Sequence, residues 1–155
     1  MENRPVRSTL VQMTELVLPQ HTNQLGSLLG GQLMHWIDIC AAISGYKLNG
    51  KVCVTASVDK IDFLSPIRIG DVVSLVSSVN RAFSTSMEVG VKVFAESFKE
   101  GIKTHSNSAY LTFVSITESG IPVESNKVFP ETGEEERRFQ EAFQRRENRI
   151  RKRCK

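Results

Sequence analysis

Long hydrophobic runs are missing from this chain of 155 residues. No apolar stretch approaches the roughly 18 residues that a membrane-spanning helix needs. Residues 1–10 include Arg4, Pro5 and Arg7 and lack the apolar block of a secretory signal peptide. The sequence therefore predicts a protein that stays in the cytoplasm and is not embedded in a membrane.

Cysteine is scarce as well. The three cysteines are an odd number; Cys40 and Cys53 lie in apolar segments, and Cys154 lies in a polar tail. Disulfide scaffolds need paired cysteines, and zinc sites need recurring Cys and His spacings that the three histidines do not complete. We expect neither a disulfide framework nor a metal site.

Several motifs of nucleophilic and phosphate chemistry are also absent. The chain has no Gly-x-Ser-x-Gly elbow and no glycine-rich loop ending in Gly-Lys-Ser/Thr. Internal repeats and low-complexity segments are absent too. Apolar residues make up 40% and charged residues 24%, which is typical of one globular domain.

The net charge of +3 comes from the C-terminal tail. Residues 1–130 hold eleven basic and eleven acidic side chains, whereas residues 131–155 hold nine basic and six acidic ones. Such a cluster can attract the phosphates of a nucleotide, a nucleic acid or a membrane. Runs of like charge are more often solvated or frayed, and we favour that interpretation.

The apolar pattern predicts one long helix and an antiparallel sheet. Residues 32–48 are apolar on nearly every side, which is typical of a buried helix. Turn-like segments at residues 66–70, 81–86 and 100–101 favour hairpins between neighbouring strands. The fold class is therefore α+β, with a central helix wrapped by a curved sheet. The predicted strands span residues 9–18, 52–63, 72–80, 87–97 and 103–117.

The chain divides into a folded domain, residues 1–130, and a charged helical tail, residues 131–155. The tail has only three large apolar side chains, which are too sparse for a core face. We expect this tail to pack lightly or on a neighbouring subunit. With only one long helix in the domain, a sheet face or edge remains for another subunit, so oligomerisation is expected.

Asp38 is the least expected residue of the predicted helix. It is the only acidic residue between Glu15 and Asp59, and its neighbours are apolar. An unpaired carboxylate is costly in such surroundings, so it needs a partner, water or a function. Asp38 could meet that need through a hydrogen bond to His35, one turn earlier, or it could be a catalytic residue. The residues alone leave the two interpretations equal.

Gly30 and Gly31 stand at the predicted start of the helix. They either pack closely under the sheet or present free N–H groups that hold an oxyanion. Gly31 and Asp38 lie seven residues apart, which is roughly 10 Å along a helix. If two such helices lie antiparallel across a two-fold interface, Asp38 of one chain comes beside Gly31 and Asn23 of the other.

The spacing Asn-x-x-Gly-x-x-x-Gly-Gly-x-x-Met-x-x-x-Asp at residues 23–38 resembles the acyl-CoA thioesterases of the hotdog fold. Residues 8–117 follow the family pattern in register. The resemblance implies a hotdog dimer that assembles into trimers of dimers, with Asn23 and Asp38 as a catalytic pair from opposite subunits. Further matching segments are Val-Thr-Ala-Ser-Val-Asp at 54–59, Asp-Phe-Leu-Ser-Pro-Ile at 62–67, Gly70-Asp71 and Ser86-Met-Glu-Val89.

The expected reaction is hydrolysis of a fatty acyl-CoA by water. Asp38 acts as general base, or as direct nucleophile in a second version, while the Gly31 amide stabilises the oxyanion and Asn23 orients water or carbonyl. Coenzyme A enters as part of the substrate, and no cofactor, nucleic acid or membrane is expected to take part. The proposed substrate-binding residues are Gly30, Thr55 and Ser57 near the catalytic pair, and Lys60, Arg81, Ser84 and Ser86 at the CoA nucleotide.

Two other functions remain open. A hotdog hydratase or dehydratase would pair His35 with Asp38, which lie at i and i+3 on one helix. The position of Asn23 upstream of the glycine pair favours hydrolysis instead. A non-catalytic acyl-CoA sensor would use the basic tail on nucleic acid, but the tail lacks interleaved aromatic residues. Hydrolysis releases free thiol from acyl-CoA, whereas hydration and acyl-CoA sensing do not.

Overall fold

A computed structural model describes all 155 residues. It contains seven strands, two long helices and two short 3₁₀ turns, at Val6–Thr9 and Pro19–His21. The helices are α1, Gly30–Asn49, and α2, Gly133–Arg153. The strands are β1 Asn3–Pro5, β2 Val11–Leu16, β3 Cys53–Val58, β4 Val72–Ala82, β5 Ser86–Ser97, β6 Ile102–Ser115 and β7 Lys127–Phe129.

Five strands form an antiparallel sheet in the order β2-β4-β5-β6-β3. The predicted hairpins between β4 and β5 and between β5 and β6 are confirmed. The predicted hairpin at residues 66–70 is wrong, because β5 and β6 lie between β3 and β4. The predicted strand 52–63 also ends early, at Val58, and residues 59–71 form a long connection from one sheet edge back to the interior of the sheet.

Helix α1 packs on one face of this sheet, which we call the inner face. The buried side of the helix includes Leu33, Ile37 and Leu48, which belong to the same core as Leu75 and Phe113 of the sheet. Helix and sheet approach closely at Gly45, where an added Cβ would lie 3.0 Å from the Cys53 sulfur. A larger residue at position 45 would therefore push the helix off the sheet.

The opposite side of α1 is not covered within one chain. Ile39, Ile43 and Tyr46 are 37, 41 and 57% exposed, so the prediction of a helix buried on nearly every side is only partly correct. Edge strand β3 leaves Val54 and Val58 exposed as well, at 41 and 40%. Both features leave apolar surface uncovered on a single chain.

Helix α2 lies on the other face of the sheet, the outer face, and is attached by charged groups. The Glu88 carboxylate on β5 is fully buried and accepts hydrogen bonds of 2.7 and 3.0 Å from Arg145. Arg149 pairs with Asp59 at 3.0 Å. The expectation of light packing is therefore wrong, because these ion pairs add to apolar contacts: Ala142 is fully buried and Phe139 packs against the core. Neither helix combines the length and apolar composition needed to cross a bilayer.

Strands β1 and β7 form a separate two-stranded parallel pair. The pair joins Asn3 to Lys127 and Pro5 to Phe129 in register. Neither strand was among those predicted from the sequence. Three-residue strands carry too few residues to show a period of two, so their pairing depends on tertiary contacts.

Candidate active site

Asp38 lies on the side of α1 that faces edge strand β3. Its carboxylate is half-buried, and its Oδ1 accepts a 2.6 Å hydrogen bond from the Thr55 hydroxyl. His35, the alternative partner suggested by the sequence, is exposed and is not hydrogen-bonded to Asp38. Because Thr55 occupies Oδ1 alone, Oδ2 remains available to accept a proton from water.

A bulge in β3 decides which residues accompany Thr55. Thr55 pairs with Phe113, but Ser57 pairs with Thr112, so one residue is inserted between them. Phe113 points to the inner face, so the side chain of its partner Thr55 also points towards α1. Ser57 lies with Thr112 on the outer face, although side chains two positions apart normally share a face. The structure therefore brings Thr55 to Asp38 and leaves Ser57 on the other side of the sheet.

Asn23 closes a tight turn just before α1. Its Oδ1 accepts hydrogen bonds from the backbone N–H groups of Leu25, at 2.9 Å, and Ser27, at 3.2 Å. Its backbone N–H donates to the Ser27 carbonyl at 2.9 Å. Since the carboxamide oxygen is engaged in the turn, the exposed Nδ2 group is the part left free. Asn23 therefore offers two N–H donors to any molecule beside it.

The start of α1 has no side-chain cap. Leu29 occupies the N-cap position, and the first hydrogen bonds to it come from Gln32 and Leu33, both at 3.1 Å. The N–H groups of Gly30 and Gly31 have no acceptor within the chain. Both glycines are exposed, and a Cβ at Gly31 would meet no atom within 4 Å. Free amides at a helix start attract a negative charge.

The two parts of the candidate site are separate in one chain. Asp38 and Thr55 lie at the middle of α1, whereas Asn23 and Gly31 lie at its start. The helix is continuous from Gly30 to Asn49, so seven residues place Gly31 roughly 10 Å along the axis from Asp38. A carboxylate and an oxyanion donor this far apart cannot act on one carbonyl within a single chain.

Four other predicted substrate-binding residues lie away from Asp38. The Lys60 ammonium pairs with Asp62 at 3.2 Å and is well exposed. Ser84 is exposed in the turn between β4 and β5, and Ser86 is half-buried at the start of β5. The structure shows no hydrogen bond between these residues, or Arg81, and Asp38 or Asn23.

Arg81 is held beneath α2. Its guanidinium carbon lies 4.1 Å from the Phe139 ring centre and 4.9 Å from that of Phe143, and it donates to the Phe139 carbonyl at 3.3 Å. Burial lowers the pKa of Arg81 from its ordinary value, and the charge of Glu136 partly opposes this. Its immediate role in the structure is to attach α2.

The position of Phe63 was not predicted from the sequence. Its ring lies against Gly30, where an added Cβ would be 3.5 Å from the Phe63 Cζ atom. Asn107 of β6 donates to the carbonyl of Asp62, next to this ring. The motif Asp-Phe-Leu-Ser-Pro was visible in the sequence. Because residues 52–63 were predicted to form a strand, the sequence did not indicate that Phe63 lies beside the helix.

Comparison with known proteins identifies the family. Residues 25–102 match the model of the thioesterase superfamily. Mouse acyl-coenzyme A thioesterase 11 is 43% identical over 92% of this chain, which spans 24% of the mouse protein. An uncharacterized acyl-CoA thioester hydrolase of Bacillus subtilis, YkhA, is 41% identical over 86% of this chain and 78% of its own length.

Solved structures agree in fold over nearly the whole chain. An apo hexameric acyl-CoA thioesterase superposes with a TM-score of 0.94 and 38% identity, covering 98% of this chain and 97% of that one. The acyl-CoA hydrolase of Staphylococcus aureus, in complex with butyryl-CoA and CoA, superposes with a TM-score of 0.91 and 35% identity, covering 98% of this chain and 93% of that one. Structures of that enzyme with an aspartate, a threonine or an asparagine changed to alanine match as well. This chain therefore belongs to the hotdog-fold thioesterase superfamily and, within it, to the acyl-CoA thioester hydrolases.

Proposed function

We propose that this protein hydrolyses acyl-CoA thioesters to the free acid and coenzyme A, with Asp38 as general base. The observation that carries the proposal is the carboxylate of Asp38, held by Thr55 with one oxygen free, on a helix whose start presents unpaired amides. A general base must be fixed within reach of water and remain able to accept a proton.

Residue spacing supports the same three residues. In the Staphylococcus aureus enzyme, the asparagine and aspartate that were changed to alanine are 15 positions apart, and the aspartate and threonine are 17 apart. Asn23, Asp38 and Thr55 have the same two separations in this chain. Because the two structures superpose closely, we propose that the three residues occupy the corresponding site.

The proposed reaction has two steps. Asp38 takes a proton from water while the water oxygen forms a bond to the thioester carbon. The resulting oxyanion accepts hydrogen bonds from the Gly31 N–H and from the free Nδ2 group of Asn23. The intermediate then collapses, the C–S bond breaks and CoA leaves as the thiolate. The proton held by Asp38 passes to the thiolate or to solvent, which restores the carboxylate.

We propose that the complete site forms between two copies of the chain. The separation of Asp38 from Gly31 supports this proposal, since antiparallel α1 helices would bring each Asp38 beside the partner's helix start. The uncovered apolar stripe of α1 and edge strand β3 are the surfaces available for such a contact. Three such dimers would give a hexamer, the assembly named for one of the matching thioesterases.

We further propose that residues 1–130 carry the hydrolase site and that residues 131–155 attach to its outer face. Coenzyme A would enter only as part of the substrate. The exposed residues Lys60 and Ser84 and the half-buried Ser86 remain our proposed contacts for its nucleotide. The three unpaired cysteines fit a reducing cytoplasm.

The test measures free thiol released from acyl-CoAs of increasing length, from acetyl to palmitoyl. Asp38→Asn keeps an oxygen for the Thr55 hydroxyl but removes the base, so kcat should fall by about 100-fold or more. Glu118→Gln removes an exposed carboxylate of a distant turn and should leave kcat unchanged. The proposal would be rejected if the wild-type protein released no thiol, which is also the result expected of a hydratase. It would be rejected as well if Asp38→Asn kept nearly full kcat.

A further inference from the structure

An uncharged cavity, partly open to solvent, lies directly beside the start of α1. Its volume is about 360 Å³, within the range of small-molecule sites. Its lining is mostly apolar in area and also includes three uncharged polar side chains; the lining residues are Leu28, Gly30, Leu33, Phe63, Pro66 and Ile67, with Ser27, Ser65 and Asn107. No charged side chain lines it. A cavity without charge is suited to a hydrocarbon chain and not to the phosphates of coenzyme A.

A larger cavity, of about 650 Å³, is a poorer candidate for the same ligand. It lies between residues 65–71 and the turn joining β5 and β6. Arg68, Asp71, Lys99 and Glu100 all line it, and burying an apolar chain against them would desolvate charged groups. The smaller cavity also touches Gly30, whereas the larger one does not reach the helix start.

Phe63 lines the smaller cavity beside Gly30. The Cζ and Cε1 atoms of its ring would lie 3.5 and 3.7 Å from a Cβ at Gly30, so the ring edge rests on the glycine. More than half of the side chain, 54%, is nevertheless exposed. A large aromatic residue in this position gains only part of the stabilisation that full burial provides.

The segment that carries Phe63 is fixed on both sides. The buried Asn107 donates to the Asp62 carbonyl, and its own Oδ1 accepts a 2.7 Å hydrogen bond from Ser106. Beyond Phe63, the Leu28 N–H donates to the Ile67 carbonyl at 2.7 Å. The ring is therefore held over Gly30 by contacts to β6 and to the turn before α1.

We propose that this cavity receives the acyl chain and that Phe63 sets the longest chain that fits. The inference rests on the proposed hydrolase function, in which the thioester carbonyl binds at the Gly31 N–H. An acyl chain that continues past Gly30 meets the Phe63 ring, so the protein prefers short straight acyl groups over long fatty ones.

The test compares kcat/KM for a series of acyl-CoAs, from acetyl to lauroyl, in the full chain. Phe63→Ala should raise the ratio of the longest to the butyryl substrate by about tenfold or more, the effect of burying roughly two further methylenes. Phe63→Trp should shift the preference in the opposite direction. Phe98→Ala removes another exposed aromatic, which does not line this cavity, and should leave the profile unchanged.

The outcomes separate this inference from the hydrolase proposal. An unchanged profile in Phe63→Ala, with wild type active and Asp38→Asn inactive, would overturn the role of Phe63 alone. A shift of equal size in Phe98→Ala would overturn it as well, because the effect would not be local. Absence of thiol release from every acyl-CoA by wild type would instead reject the hydrolase function.

Discussion

Thr55 donates its hydroxyl hydrogen to Asp38 across 2.6 Å, although the two residues lie on different elements, 17 positions apart. The threonine belongs to the edge strand of the sheet and is exposed, while the aspartate belongs to the central helix. A single hydrogen bond thus fixes the direction of a carboxylate that no cation neutralises. Replacement of Thr55 tests this orientation directly.

We expect Thr55→Val to lower kcat by about tenfold or more, because a hydrogen bond to a charged group contributes roughly 1.5 to 3 kcal/mol. Thr55→Ser keeps the hydroxyl and should retain most of the activity. Since Thr55 would act through Asp38, KM should change less than kcat. Steady-state kinetics of the two variants provide the measurement. Equal kcat values for the valine and serine variants would contradict a positioning role.

Asn23 is expected to serve through its Nδ2 donors. Asn23→Asp retains an oxygen for the amides of Leu25 and Ser27 but replaces the donor by a second oxygen. The melting temperature should stay near that of wild type, while kcat should fall by about 100-fold or more, as for loss of one oxyanion donor. Asn23→Ala should lose stability as well as activity. An active aspartate variant would show that the donor is not needed.

A site shared between subunits predicts recovery of activity on mixing inactive chains. Asn23→Ala and Asp38→Ala chains, exchanged at equal amounts, should regain about one quarter of the wild-type sites, since half of the dimers would hold one intact site. Exchange of chains is checked by mass spectrometry of differently tagged protein.

The matched control mixes Asp38→Ala with the double variant Asn23→Ala/Asp38→Ala. No intact site forms in that mixture, whichever chain supplies each residue. If the first mixture shows no more activity than this control after complete exchange, the site does not form between subunits.

The buried carboxylate of Glu88 makes a prediction about stability. Burial lowers the pKa of Arg145, but the hydrogen bonds and charge of Glu88, with smaller contributions from Tyr110 and Glu141, outweigh it and the net shift is upward, so Arg145 stays charged. Arg145→Ala removes the nearest cation and leaves the buried carboxylate with only the Asn80 amide, at 3.1 Å, and the more distant Arg149, at 3.7 Å. This should cost about 3 kcal/mol of unfolding free energy, the lower end of the range for a broken buried pair. Urea unfolding of the intact protein measures the loss.

Arg137→Ala is the matched control on the same helix. Arg137 pairs with Glu141 at 3.0 Å, but both side chains are largely exposed, so the loss should stay below about 1 kcal/mol. Changing Glu88 to Gln together with Arg145→Ala should recover part of the stability, because the uncompensated charge is removed. Equal losses for Arg145→Ala and Arg137→Ala would show that α2 does not depend on the buried pair.

The sequence predicted the elements that have a strong period of their own. The helix expected at 32–48 spans Gly30–Asn49, and two of the three hairpins are confirmed. Asp38 was identified because a carboxylate among apolar neighbours is unusual. These features depend on residues close together in the chain, so local patterns reveal them.

Features that depend on distant contacts were not predicted. The bulge between Thr55 and Ser57 inserts one residue, and no local pattern marks it, yet it sends the two side chains to opposite faces. The attachment of α2 was underestimated because its ion pairs to Glu88 and Asp59 join residues 57 and 90 positions apart. The crossing of residues 59–71 likewise becomes visible only once the sheet order is known.

Because α1 starts without a cap, a substitution at position 29 would affect thermal stability and catalytic rate in opposite directions. Leu29→Asp would supply the missing cap and strengthen the helix by about 1 kcal/mol, since aspartate is among the best capping residues. Its carboxylate would also occupy the Gly31 amide and repel the negative charge that the proposed reaction forms there. Selection for heat resistance would favour this substitution, and selection for catalytic rate would remove it.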